Sequence, residues 1–207
     1  MDASELLSDA RIVPVVVIDD VDTAVDLAIT LAEAGLPFVE VTLRTPAALK
    51  AIECIAENVP EVIVGAGSVR RVSQVGDVVS AGARFAVSPG YTDELVVATA
   101  DQNVPFIPGA VTPGESLRLL EHGYRLQKFF PAELAGGRPM LKAMGAPLPE
   151  VRYCPTGGIN AELAAEYLAM DNVACVGGSW IAPAALLRAR DFAAIGRLAR
   201  DAARLTV

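Results

Sequence analysis

Short apolar runs rich in β-branched residues recur along the chain at a near-constant interval, at 12–18, 38–43, 62–64, 85–87, 106–107, 126–130, 151–154 and 173–176. Between them lie alanine- and leucine-rich stretches, among them 24–34, 47–56, 95–100, 116–120 and 161–169, with the apolar spacing of amphipathic helices. Strand alternating with helix eight times over predicts a parallel sheet joined by right-handed crossovers. At 207 residues the pattern fits one α/β domain, a compact (β/α)8 TIM barrel spanning 1–207. An open doubly wound sheet is the rival architecture. Residues 2–8 read as a short extra N-terminal helix.

Turn chemistry supports the repeating unit. Thr112-Pro113-Gly114-Glu115 offers a capping threonine, a proline at the first helical position and a glutamate at the third. Thr45-Pro46 repeats the first two of these, and Asn160 is placed to cap the helix after the seventh strand. Eight of the 17 glycines (65, 67, 90, 109, 157, 158, 177 and 178) fall at the expected strand ends, all at one end of the barrel. That end carries the active site in barrel enzymes, so these glycines mark either tight turns or close approach of backbone to a ligand.

Composition narrows the function classes. Just over half the residues are hydrophobic, yet no apolar run reaches the length of a membrane span, and the acidic start Met1-Asp2-Ala3-Ser4-Glu5 is unlike a signal peptide. The net charge is −8 with scattered basic residues, which argues against a nucleic-acid or membrane partner. Three widely spaced cysteines and one histidine argue against a disulfide framework and a zinc site, and fit the cytoplasm. Of the 17 basic residues 14 are arginine, so the placement of Lys50, Lys128 and Lys142 is informative.

Strand parity brings candidate chemistry together. On the second strand Glu40, Thr42 and Arg44 share a face opposite Val39, Val41 and Leu43, and the polar set is expected to point into the barrel. A strand glutamate is costly to bury unless paired or used, and a structural Glu40–Arg44 ion pair is the bland alternative. On the sixth strand Lys128 stands among Phe129, Phe130 and Pro131. Such surroundings disfavour an ammonium and free the amine to attack a carbonyl, the alternative being a snorkelling or salt-bridged lysine. Lys50 and Lys142 fall on expected helices. The paired glycines of Pro155-Thr156-Gly157-Gly158 and Gly177-Gly178-Ser179-Trp180, at the ends of the last two strands, free backbone N–H groups ahead of helices and suit an anion such as phosphate.

The segments Glu40-Val41-Thr42-Leu43-Arg44-Thr45, Gly65-Ala66-Gly67-Ser68, Ser88-Pro89-Gly90, Lys128-Phe129-Phe130-Pro131-Ala132, Pro155-Thr156-Gly157-Gly158 and Gly177-Gly178-Ser179-Trp180 closely resemble the 2-keto-3-deoxy-6-phosphogluconate (KDPG) aldolase family, in order and spacing, over essentially the whole chain. Phosphogalactonate aldolases are less similar. The resemblance implies a Schiff-base lysine at Lys128 and an acid/base at Glu40. It implies a pyruvate carboxylate held by Arg44 and Ser68, and Thr156 lining the pyruvyl end. Phe130 and Pro89 would be packing walls, and Gly157, Gly158, Gly178 and Ser179 would bind phosphate. Ser68 departs from the family's usual threonine but keeps the hydroxyl. The implied substrate is a phosphorylated 2-keto sugar acid, cleaved to pyruvate and glyceraldehyde 3-phosphate. Also implied are possible turnover of 4-hydroxy-2-oxoglutarate to pyruvate and glyoxylate, no metal or other cofactor, and a homotrimer.

Rival functions share parts of this pattern. A phosphate-binding isomerase or epimerase would use the glycine pairs without a strand lysine. A metal-dependent aldolase would use carboxylate ligands, and a non-catalytic sugar-phosphate sensor would leave Glu40 and Lys128 as an unexplained cost.

Overall fold

The computed structural model describes residues 3–205. Eight parallel strands alternate with helices: α1 (Ala3–Leu6), β1 (Ile12–Val16), α2 (Ala24–Glu33), β2 (Phe38–Thr42), α3 (Ala48–Asn58), β3 (Ile63–Gly67), α4 (Val72–Ser80), β4 (Ala86–Val87), α5 (Asp93–Asp101), β5 (Phe106–Ile107), α6 (Pro113–Glu121), β6 (Leu126–Phe129), α7 (Gly137–Gly145), β7 (Arg152–Pro155), α8 (Ala161–Leu168), β8 (Val176–Gly178), α9 (Ala184–Arg188) and α10 (Phe192–Arg204). A 3-10 turn, Val21–Thr23, leads into α2. Of the expected N-terminal helix, Ala3–Leu6 is helical and Asp2 lies outside the described residues. Among the described residues no helix is long and apolar enough to cross a membrane.

Pairing is continuous over six strands, in the order β5-β4-β3-β2-β1-β8, and separately over β6-β7. The six-stranded parallel sheet curves as a half-barrel, and single bridges flank the two-stranded sheet: Gly109↔Lys128 on one side, Tyr153↔Val173 and Thr156↔Gly177 on the other. The expected continuous eight-stranded ladder is therefore interrupted. At one break β5 is only two residues long; at the other, the three steps from Tyr153 to Thr156 run beside four from Val173 to Gly177.

Alternation along the strands sorts the core into two layers. The outer face (Val39, Val41, Val64, Ala66, Phe129, Tyr153) packs under helix residues such as Leu27, Leu31, Ile52 and Ile55. The concave face holds a second cluster, in which Val13, Phe38, Phe85, Val87, Ile107, Leu126, Cys154 and Cys175 pack with Ala3 and Leu7 of the N-terminal segment. One inward step beyond Phe38 and Leu126 are Glu40 and Lys128, so the apolar cluster forms a floor beneath the polar pair.

Several expectations need correction. The eighth strand is Val176–Gly178 rather than 173–176, and Gly177 and Gly178 pair with Val13 and Pro14 inside the ladder. Gly65 and Gly67 likewise lie within β3 rather than after it. Each makes room for a neighbour: a β-carbon on Gly65 would strike the Phe85 ring, and one on Gly178 would stand 2.5 Å from Cε3 of Trp180. Thr45 does not cap α3, whose N-cap is Ala47; its hydroxyl donates to the Ile18 carbonyl. The other two caps form. Thr112 accepts from the Glu115 N–H at 3.3 Å while Glu115 accepts from Thr112 N–H at 2.9 Å, and Asn160 accepts from Leu163 N–H at 2.9 Å.

Candidate active site

Lys128 owes its position to hydrogen bonds on both edges of its strand. Its N–H donates to the Pro108 carbonyl and its carbonyl accepts from Ala110 N–H, both at 2.8 Å, while β7 pairs it with Cys154. With the backbone pinned, the side chain projects from the concave face toward β2. There its Nζ stands 3.1 Å from Oε1 and 3.4 Å from Oε2 of Glu40. The two side chains are 6% and 4% exposed, so each charge has the other as its main compensation. The Phe130 ring covers the approach, its centroid 5.5 Å from Nζ.

Glu40 is enclosed from below by Phe38 and from the side by β3. Its carboxylate fits because residue 67 has no side chain: a β-carbon there would stand 2.7 Å from Cδ and overlap Oε1. Thr156 is accommodated in the same manner, with a β-carbon at Gly177 falling 3.1 Å from its Cγ2. The Thr156 hydroxyl is buried, within 3.5 Å of the Cys154 carbonyl and 4.0 Å of its sulfur.

Arg44 departs from the expected placement. It lies two residues beyond the end of β2, exposed, so it does not share the buried strand face and forms no pair with Glu40. Its Nε instead donates to the Ser68 hydroxyl at 3.4 Å, which unites the two residues expected to hold a carboxylate. Ser68 follows directly on β3 and adopts φ 59, a left-handed conformation rare for non-glycine residues. Pro89 lines the next turn, its carbonyl pressed against Gly109.

The β7 turn folds back on the β6 loop. Ala132 N–H donates to the Thr156 carbonyl at 2.8 Å and Glu133 N–H to that of Gly157 at 3.2 Å. Gly157 and Gly158 have φ of 102 and 78, which suits glycine, and a β-carbon at Gly157 would meet the Phe130 ring at 3.2 Å. The Thr156↔Gly177 bridge sets this turn beside Gly178 and the exposed Ser179.

Residues with no expected role complete the surroundings. Cys175 lies on the floor next to Cys154. Its thiol is pushed well above the usual range, first by its hydrogen bond to Cys154 and then by burial, so it remains a neutral donor. Thr42 donates to the Val16 carbonyl at 3.0 Å, tying β2 to β1. The Tyr167 hydroxyl donates to Glu133 at 2.5 Å. Periodicity marks Cys175 and Tyr167 as core, sets Thr42 on the face of Glu40, and gives no sign of their polar partners. Among the described residues no group of three or more His, Cys, Asp or Glu side chains is arranged to hold a metal ion.

Known proteins are similar to this one along nearly the full chain. The family model for KDPG and KHG aldolase matches residues 3–198. A KHG/KDPG aldolase of Escherichia coli is 44% identical over 200 residues, covering 97% of this chain and 94% of that relative. Among solved structures, the KDPG aldolase of Legionella pneumophila, with pyruvate captured at low pH as a covalent carbinolamine intermediate, superposes with a TM-score of 0.94 at 44% identity, covering 97% of each chain. The 2-keto-3-deoxy-6-phosphogluconate aldolase of Zymomonas mobilis with 3-phosphoglycerate superposes with a TM-score of 0.92 at 40% identity, covering 98% of this chain and 95% of that one. With a family match over 3–198 and relatives this similar over nearly their whole length, the chain belongs to the KDPG and KHG aldolase family.

Proposed function

We propose that this protein is a Schiff-base aldolase that cleaves 2-keto-3-deoxy-6-phosphogluconate to pyruvate and glyceraldehyde 3-phosphate. The observation that carries the reading is the buried Lys128–Glu40 pair at 3.1 Å. A buried ion pair is seldom the most stable filling for a core, but an amine beside a carboxylate is what imine chemistry requires. The covalent pyruvate adduct of the Legionella relative supports the same chemistry here.

In the proposed mechanism Lys128 passes a proton to Glu40, and its amine adds to the C2 ketone. Glu40 returns that proton to the carbinolamine hydroxyl, which leaves as water, giving an iminium and a Glu40 carboxylate again. As the C3–C4 bond breaks, its electron pair flows into the iminium to form an enamine, while the C4 hydroxyl proton goes to Glu40 and the aldehyde leaves. Protonation of the enamine at C3 and hydrolysis of the imine release pyruvate and restore Lys128. Arg44 and Ser68 hold the pyruvyl carboxylate, Thr156 lines that end, and Phe130 and Pro89 wall the site. Gly157, Gly158, Gly178 and Ser179 receive the phosphate through backbone N–H groups and a hydroxyl. No metal or other cofactor takes part.

The second substrate, 4-hydroxy-2-oxoglutarate, is supported by the family's double name and that of the Escherichia coli relative. It carries no phosphate and would use only the pyruvyl end. The isolated bridges on both sides of β6-β7 support closure of the strands into a single (β/α)8 barrel domain spanning 1–207. A homotrimeric assembly rests on the family resemblance, and a cytoplasmic setting on the odd count and wide spacing of the three cysteines.

Borohydride reduction in the presence of pyruvate, followed by peptide mass mapping, tests the reading. A stable adduct on Lys128 is expected. An adduct on Lys50 or Lys142 instead, or none, overturns it.

A further inference from the structure

Glu133 and Tyr167 lie outside the chemistry just described, yet they join the three segments that shape the anion-binding end. Glu133 sits in the loop between β6 and α7, five residues past Lys128. Tyr167 sits in the last turn of α8, the helix into which the Gly157–Gly158 turn leads. The tyrosine is fully buried and its hydroxyl donates to Glu133 Oε1 at 2.5 Å. Burial, and then that hydrogen bond, push its pKa well above the ordinary range, so it stays a donor at any working pH.

The stem of Glu133 is pressed on Gly158: a β-carbon at residue 158 would lie 2.9 Å from both Cβ and Cγ of Glu133. Its backbone N–H holds the Gly157 carbonyl at 3.2 Å. Its carboxylate is turned toward the first residue of α7, where a β-carbon at Gly137 would lie 3.3 Å from both Glu133 Oε1 and the Tyr167 hydroxyl. The positive end of α7 favours a carboxylate there. Glu133 thus contacts both glycines of the turn, and the bond from Tyr167 fixes its rotamer and keeps its charge off the turn.

We propose that the Glu133–Tyr167 hydrogen bond is a positioning device for the Gly157–Gly158 turn, setting affinity for the phosphate of the substrate and thereby preference for phosphorylated over unphosphorylated 2-keto acids. This inference rests on the phosphate role given to that turn above. Lys128 and Glu40 stand on strands with their own backbone bonds, so the device acts on binding at the phosphate end and not on the imine.

The test uses Tyr167→Phe, Glu133→Ala and Glu133→Gln. Affinity for inorganic phosphate is measured by titration calorimetry, and kcat and KM are measured on the phosphorylated acid and on 4-hydroxy-2-oxoglutarate. Tyr167→Phe and Glu133→Ala are expected to weaken phosphate binding and raise KM for the phosphorylated substrate about tenfold, as loss of one hydrogen bond of ordinary net strength does, with kcat changed less than about twofold. The ratio of kcat/KM between the two substrates falls by the same factor. Glu133→Gln, whose amide oxygen still accepts from Tyr167, stays near wild type. Unchanged phosphate affinity in both disruptive variants, equal KM increases on the two substrates, or a wild type that binds no phosphate overturns the proposal. A wild type that binds phosphate but cleaves no phosphorylated acid defeats the aldolase reading instead, and the calorimetry still decides this one.

Discussion

Gly67 and Glu40 share one volume. A β-carbon on Gly67 would stand 2.7 Å from the Glu40 Cδ, and the carboxylate occupies the space that any larger residue would fill. The strands pair Glu40 with Gly65 and Thr42 with Gly67, so the side chain leans diagonally along the sheet, over the bare position, on its way to Lys128. Glycine inside a strand weakens it; here the weakness is the cost of seating a carboxylate in a packed wall.

Gly67→Ala is therefore expected to cripple catalysis more than folding. The added methyl displaces Glu40 by the order of an ångström, a misplacement that costs roughly 100-fold in kcat/KM. Overpacking of this size lowers stability by about 1–3 kcal/mol. Steady-state kinetics and thermal melts read both effects, and near-wild-type turnover would show that Glu40 need not sit where it does.

Removing one member of the buried pair should destabilise the fold, whereas removing both should largely restore it. Lys128→Met leaves Glu40 buried without its partner and is expected to cost about 3–5 kcal/mol. Adding Glu40→Gln recovers most of that loss in an enzyme that forms no pyruvate adduct. Urea denaturation of the two single variants and the double variant forms a closed cycle. Strictly additive losses would mean that the 3.1 Å contact carries no coupling.

The residues that reveal themselves in the sequence are those whose chemistry conflicts with their surroundings. Glu40 and Lys128 are charges in apolar strands; parity puts Glu40 on the inner face, and the structure pairs it there with Lys128. Arg44 misleads for the same reason: parity holds only while the strand continues, and β2 ends at Thr42. The glycines mislead differently. A glycine that admits a neighbour's side chain and one that admits a ligand look alike in sequence, and Gly65, Gly67, Gly177 and Gly178 are of the first kind at least. Tyr167 and Cys175 occupy ordinary core positions in the pattern. Their polar partners, Glu133 and Cys154, come from other segments and become visible only in three dimensions.

Thiol labelling should distinguish the cysteines without harm to activity. Cys54 is half-buried on α3, whereas Cys154 and Cys175 are sealed in the floor, with the Cys175 thiol pushed up by its bond to Cys154 and by burial. Alkylation of the native protein with iodoacetamide near pH 8 is expected to modify Cys54 alone and leave turnover intact, because attack requires an accessible thiolate. Peptide mass mapping that finds rapid modification of all three cysteines would mean that the floor opens on the labelling timescale.

Ser68 and Ser179 should separate the two ends of the substrate. Ser68 accepts from Arg44 at the end assigned to the carboxylate, which both substrates carry; Ser179 lies at the end assigned to phosphate, which only one carries. Ser68→Ala removes the acceptor and is expected to raise KM about tenfold on the phosphorylated acid and on 4-hydroxy-2-oxoglutarate alike. Ser179→Ala is expected to do so only for the phosphorylated acid, and equal losses on both substrates would contradict its assignment. Ser68→Thr separates the hydroxyl from the backbone that carries it. Position 68 has φ 59, where a β-branched residue is strained, so stability should drop by about 1 kcal/mol while KM stays near wild type. A threonine variant of unchanged stability but weakened substrate binding would place the constraint at the carboxylate rather than in the backbone.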